Sequence, residues 1–146
     1  MDEHLVEPRP VDIYERRPSD LRPLLDLPGF QVSEGKPNIR GWAVHDPDGE
    51  TPLGHVEDLL VSGELGEAVF IILNTGDVIG EHGLDYYGPD GSLTDRRILI
   101  PLDRIELDEP DLRVLFTGSL DHIRDAPAYE SGAEDFDKHY DYWQSV

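Results

Sequence analysis

Between Asn38 and Thr75 the chain alternates three apolar runs with two polar breaks that carry glycine. The first run is Ile39 to Val44, and the break after it is Asp46-Pro47-Asp48-Gly49. The second covers residues 53–62, and the next break spans 63–66. The third, Ala68-Val69-Phe70-Ile71-Ile72-Leu73, is apolar at every position. Short β-branched runs separated by Gly-containing turns predict a three-stranded meander. Asp48-Gly49 marks its first hairpin, because Gly accepts the positive φ of a tight turn. The middle run does not alternate cleanly: Val56 and Leu60 share one face, while Leu59 and Val61 fall on the other. A bulge near Glu57-Asp58 would reconcile the two halves and add curvature. The third run suits a strand covered on both faces or the wall of a small closed barrel.

After Leu73 the pattern lapses for about twenty residues, 74–95, a loop length that in compact domains marks function or mobility. Residues 84–87 within it are expected to form a short extra strand, followed by a turn at Pro89-Asp90-Gly91. Alternation resumes with Ile98, Ile100 and Leu102, continues at Ile105 and Leu107, turns at 108–111, and ends with Leu112, Val114 and Phe116. Pro101 marks a strand edge or end. Ser119 is placed to cap a short helix that Pro127 stops, with Leu120 and Ile123 inward. Phe136, Tyr140 and Trp143 then fall on one helical face. That face either packs on its own domain or docks a partner.

Six prolines between Pro8 and Pro37 exclude a long helix or central strand from the N-terminal arm. One helical turn capped by Ser19 and running into Leu24-Leu25 is expected there, with Leu21, Leu24, Leu25, Leu27 and Phe30 pinning the arm. A disordered tail suits residues 1–10 better than 21–30.

Charge changes the picture more than size does. The 146 residues suffice for one domain with a real core. They carry 12 basic and 32 acidic side chains, a net charge of -20. That field repels phosphate backbones and disfavours direct nucleic-acid binding. The first reading is a solvated surface that resists aggregation. A face for a basic partner and adaptation to high salt remain open, the latter because Asp outnumbers Glu and only Lys36 and Lys138 supply lysine. Without cysteine, disulfides and thiolate metal sites are excluded. No apolar run spans a bilayer, and the first residues lack the pattern of a signal peptide, so a soluble cytoplasmic protein is expected.

Candidate chemistry is sparse. The six histidines form no helical His-x-x-x-His pair. His55 and Glu57 could share a strand face and a metal, but an exposed barrel position explains them more simply. Asp46, Asp48 and Glu50 resemble the start of a calcium loop without its closing glutamate, which favours a plain hairpin turn. No nucleophile elbow or phosphate-binding glycine loop occurs. Asp58 is read as a half-buried acid that accepts from backbone donors near the bulge. Trp42 is read as core, with Gly41 before it allowing a bend or close approach.

The segments Asn38-Ile39-Arg40-Gly41-Trp42-Ala43-Val44, Asp48-Gly49, Leu53-Gly54-His55-Val56-Glu57-Asp58-Leu59-Leu60-Val61 and Arg97-Ile98-Leu99-Ile100-Pro101 together resemble the PRC-barrel domain. That domain is shared by the cytoplasmic part of the photosynthetic reaction-centre H subunit and a ribosome-maturation factor. Residues 30–42 resemble the H-subunit branch, and 120–129 the end of stand-alone bacterial members. The resemblance implies a mainly β fold: a small, strongly bent PRC-type β-barrel over 30–129. A Pro-rich irregular arm over 1–29 would precede it, and a short C-terminal helix and an acidic aromatic tail over 130–146 would complete the chain. Its structural signature here is Arg40, Gly41, Trp42, Gly49, Gly54, Asp58 and Pro101.

The implied function is a non-enzymatic cytoplasmic protein-interaction or regulatory module, with no cofactor, no catalytic residue and no metal ligand. Its partner would be a protein or a second copy. Candidate contacts are Tyr86 and Tyr87 on the long loop and Phe136, Tyr140 and Trp143 in the tail, since aromatic residues anchor interfaces. The family's other branch implies a ribosome-maturation-associated factor that touches a basic ribosomal protein. A metal-binding or enzymatic domain is the remaining alternative. Two departures stand out: nothing matches the H subunit's membrane helix, which argues against a reaction-centre role, and the 74–95 connection is longer than the family's usual one.

Overall fold

A computed structural model describes residues 4–6, 17–18, 20–24, 30–32, 38–63, 67–75, 97–130 and 136–146. Nine strands and two α-helices occur among them: β1 (His4–Val6), β2 (Leu21–Pro23), β3 (Phe30–Val32), β4 (Ala43–His45), β5 (Pro52–Ser62), β6 (Glu67–Asn74), β7 (Arg97–Pro101), β8 (Ile105–Asp108), β9 (Arg113–Phe116), α1 (Leu120–Asp125) and α2 (Asp137–Ser145). The chain is mainly β, with a strongly curled half-barrel sheet and a C-terminal helix.

The expected meander is present, with β4, β5 and β6 antiparallel in sequence order. The main sheet runs β7-β6-β5-β4-β9-β8, and β2 also pairs with β5. The β4–β9 pair is parallel, the others antiparallel.

Topology forces the curl. Strands β7 and β8 lie at opposite ends of this path, yet only the 3-10 turn Leu102–Arg104 joins them. A flat six-strand path would hold its ends about 24 Å apart, five spacings of about 4.8 Å. Four Cα steps of about 3.8 Å, from Pro101 to Ile105, reach about 15 Å at most. The sheet therefore bends until its two ends come within reach of this corner, where Pro101 ends β7.

The bend is distributed along β5. Val56 pairs with Leu73 and Asp58 with Ile72, so Glu57 is the extra residue of a bulge, at the place where the alternation breaks. Two further register shifts involve the same strand, between Val44 and His45 against β4 and between Leu60 and Val61 against β6. Each adds local twist and re-aims the side chains that follow. As a result Leu53, Val56, Leu59, Leu60 and Val61 are all buried, and β6 is buried from Ala68 through Leu73.

Two glycines permit close geometry. Gly54 has φ +141°, and a Cβ there would lie 2.1 Å from the Asn74 carbonyl oxygen. Gly41 has φ +87° in a turn closed by Trp42 N–H donating to the Ile39 carbonyl at 3.0 Å. That is the third position of a type II turn, which requires positive φ.

The arm differs from expectation. Leu21–Pro23 forms strand β2 against Leu60–Ser62 rather than a helical turn. Pairing to a long strand satisfies the backbone groups that an isolated turn leaves open, and the edge position tolerates Pro23. Leu21 and Leu24 are buried, as pins of the arm; Leu25 and Leu27 lie outside the described residues. Residues His4–Val6, read as better suited to a disordered tail, pair in parallel with Phe30–Val32.

The second half keeps the predicted order with one reversal. Val114 and Phe116 point inward on β9, but Leu112 does not continue the alternation: it has φ +52° and is 60% exposed. Asp108–Arg113 is the last β8–β9 pair, so Leu112 belongs to the turn. Helix α1 starts after Ser119, as expected, and Ile123 is buried against the core.

Candidate functional site

Charged side chains sit where the sheet is bent. At the β5 bulge the Glu57 carboxylate accepts from Asn74 Nδ2 at 2.8 Å and from Arg97 Nε at 2.8 and 2.9 Å. Asn74 and Arg97 form the last β6–β7 pair, so this carboxylate closes the stem of the 75–96 connection. Partial burial works against its charge, but the Arg97 and Asn74 hydrogen bonds outweigh it and hold Glu57 below its ordinary value of 4.5. His55 adds a further favourable field. Glu57 is thus engaged with Arg97, and among the described residues no three His, Asp or Glu side chains gather as a metal-holding group.

One residue on, Asp58 is buried and accepts from the Leu59 N–H at 2.8 Å. Its Oδ1 lies 3.8 Å from the Arg40 guanidinium, and Arg40 itself is held by Asn38 Oδ1. This places the Arg40-Gly41 turn over the bulge, where Gly41 N–H donates to the Val56 carbonyl at 2.7 Å. Trp42 packs on the core from a half-buried position, less deeply than expected.

A second group joins two turns of the curled sheet. Asp46 closes the β4–β5 hairpin by accepting from the Glu50 and Thr51 N–H groups at 3.0 and 3.1 Å. The Thr51 bond, helped by that of Glu50 and opposed by partial burial, lowers the pKa of Asp46 from its ordinary value. The side chain that resembled a calcium ligand is therefore occupied by its own turn. The Gly49 carbonyl accepts from Arg113 Nη1 at 2.9 Å and lies 3.0 Å from His45 Nδ1. Arg113 also donates to Asp108 Oδ2 at 2.7 Å and lies 3.5 Å from Asp111. Its hydrogen bond lowers the pKa of Asp108. One arginine therefore ties the β8–β9 turn, which carries Leu112, to the β4–β5 turn.

The C-terminal aromatic residues do not form a surface. Phe136, Tyr140 and Trp143 are all buried. Trp143 Nε1 donates to the Leu99 carbonyl at 2.7 Å, and its ring meets Phe116 edge-on. The Tyr140 hydroxyl donates to the Pro18 carbonyl, and its ring lies against Phe70. Burial, reinforced by Asp20 and Asp137, pushes the Tyr140 hydroxyl well above its ordinary pKa. Arg104 donates to the Trp143 and Val146 carbonyls at 2.8 and 2.7 Å, closing the helix end where the dipole favours a cation. Of the two readings of this segment, the observed burial is that of a face packed on its own domain. The nine-residue helix is too short to stand alone in water and is stabilised through the face it buries.

Tyr86 and Tyr87 lie outside the described residues. The alternation assigns Leu112 to the last strand and gives Arg113 no role. The signal for a turn residue at 112 is Pro110-Asp111, which places the next residue where Gly or Asn is usual. No helix among the described residues is long and apolar enough to cross a membrane. No known protein-family model matches the chain, and no curated protein matches it at a significant level.

Proposed function

We propose that this chain is a non-enzymatic protein-interaction module of the PRC-barrel kind, acting in the cytoplasm. One observation supports the reading: four of the seven residues in the structural signature lie at turns, close approaches or strand ends of the curled sheet. Gly41 makes the turn before β4, Gly54 lets β5 approach Asn74, Asp58 links the bulge to Arg40, and Pro101 ends β7 at the corner. The carboxylates at these bends take part in structural pairs, with Glu57 on Arg97 and Asp108 on Arg113.

What such a barrel offers a partner is a rigid set of turns on a surface of net charge -20. The test is size-exclusion chromatography of native cell extract at the cell's own ionic strength, followed by detection of this chain. Elution in a defined complex supports the reading, and elution only as a free monomer refutes it. The charge also favours a second reading, a ribosome-maturation-associated factor docking a basic ribosomal protein rather than RNA. Co-sedimentation with a ribosomal subunit at low salt supports that reading, and its absence removes it.

A further inference from the structure

The β8–β9 turn is built against its own stability. Leu112 N–H donates to the Glu109 carbonyl at 3.2 Å, so residues 109–112 form a turn with Pro110 at its second position. The residue after Asp111 is in the left-handed region, with φ +52°. Gly or Asn enters that region easily, whereas a γ-branched apolar side chain does so at a cost. The same side chain is 60% exposed, so no burial repays the strain. Leu112 and Val146 are the only large apolar side chains that stand exposed among the described residues, and Val146 does so less, at 38%.

The turn is also held still. Arg113 ties it to the neighbouring hairpin through the Gly49 carbonyl, and to its own strand through Asp108. Tethering the base of an exposed apolar side chain reduces the ordering entropy lost when it is buried by a partner. On the same turn Glu109 and Asp111, the latter 3.5 Å from Arg113, and on the adjoining turn Asp48 and Glu50 are exposed carboxylates.

We infer that Leu112 is the apolar anchor of a docking surface, and that its occupant is a basic protein presenting an apolar socket rimmed by Arg or Lys. Charge complementarity selects that occupant. A second copy of this chain would bring another -20 against these carboxylates, and an RNA would bring phosphates. The inference rests on the interaction-module reading and gives it a surface and a partner class.

The experiment compares the full-length chain with its Leu112→Asn variant. Asn tolerates the left-handed region, so the urea midpoint of the variant is expected to equal or exceed that of the parent. A clear fall would overturn the strain argument. Partners are captured on the full-length chain at native salt and identified, and the principal one is then purified and titrated against both forms. The expected result is a basic protein that binds the variant at least tenfold more weakly and binds the parent more weakly as salt rises. Equal binding of the two forms, or a principal partner that is acidic, an RNA or a second copy, would overturn the Leu112 surface while leaving the module reading in place. Recovery of no partner and no self-association would overturn both.

Discussion

Replacing Gly54 by Ala separates the two reasons a strand glycine can be needed. At Gly54 both apply. The φ of +141° is one that L residues avoid, and the new Cβ would meet the Asn74 carbonyl oxygen at 2.1 Å, its carbon at 2.9 Å and Leu73 Cδ1 at 3.1 Å. The first two neighbours are backbone atoms of β6, so no side-chain rotation relieves the contact. Strands β5 and β6 would have to separate where His55 pairs with Asn74, beside the Glu57 bulge. Backbone strain of about 2 kcal/mol and overpacking of about 2 kcal/mol sum to about 4 kcal/mol. That is a large part of a typical stability of about 5–15 kcal/mol. Gly41 supplies the control: its φ is +87°, but a Cβ there meets nothing within 4 Å. Gly41→Ala should therefore cost only about 1 kcal/mol, the conformational part. In urea unfolding followed by circular dichroism, with a slope of about 2 kcal/mol per M, the midpoints should fall by about 2 M for Gly54→Ala and about 0.5 M for Gly41→Ala. Equal shifts for the two variants would refute the close approach of β5 to β6 and the curl built on it.

Three further outcomes follow from named contacts. Glu57→Gln should destabilise by about 1 kcal/mol at neutral pH, a modest figure because both partners are partly exposed and screened. The folded-state pKa of Glu57 is lowered, so its contribution is complete above 4.5 and fades as the pH falls through the folded value. Urea midpoints of parent and variant should therefore converge in acid, and a gap that persists there would disprove the pairing. Trp143→Phe should cost about 2–3 kcal/mol, since it strands the Leu99 carbonyl and leaves a partial void. The same variant leaves half-buried Trp42 as the sole tryptophan, so loss of the blue-shifted part of the tryptophan emission measures the burial of Trp143. Finally, the net charge of -20 predicts urea midpoints that rise with sodium chloride up to about 0.1 M, where the screening length falls to about 10 Å. A flat or falling series would mean that local pairs such as Arg97–Glu57 and Arg113–Asp108 already compensate the acids.

The meander and its bulge were legible because the alternation of 53–62 breaks at the residue that the structure leaves unpaired. A period of two has only two faces, so an inserted residue shows at once in the pattern. The parallel β4–β9 pair was not legible, because no local signal records which distant strand lies alongside another. Strand β2 was hidden for a related reason: Ser19-Asp20-Leu21 carries a local helix-start signal, and pairing with β5 overrides it. For Phe136, Tyr140 and Trp143, the spacing identified a helix face but not its orientation, which depends on the Trp143–Leu99 and Tyr140–Pro18 hydrogen bonds. Leu112 misled because alternation was extended one residue past the strand, into a turn position where the backbone reverses hand. Its exposure follows from that φ and from nothing in its hydropathy.

The central claim is that this chain works by binding a protein through fixed turns on a curled sheet. Hydrogen-exchange mass spectrometry of the full-length chain, alone and in the complex recovered at native salt, tests it most directly. The account predicts slowed exchange confined to the two tethered turns, residues 46–51 and 108–113, with β5 and β6 protected equally in both states. Unchanged exchange in those turns, or protection confined to other parts of the chain, would contradict it.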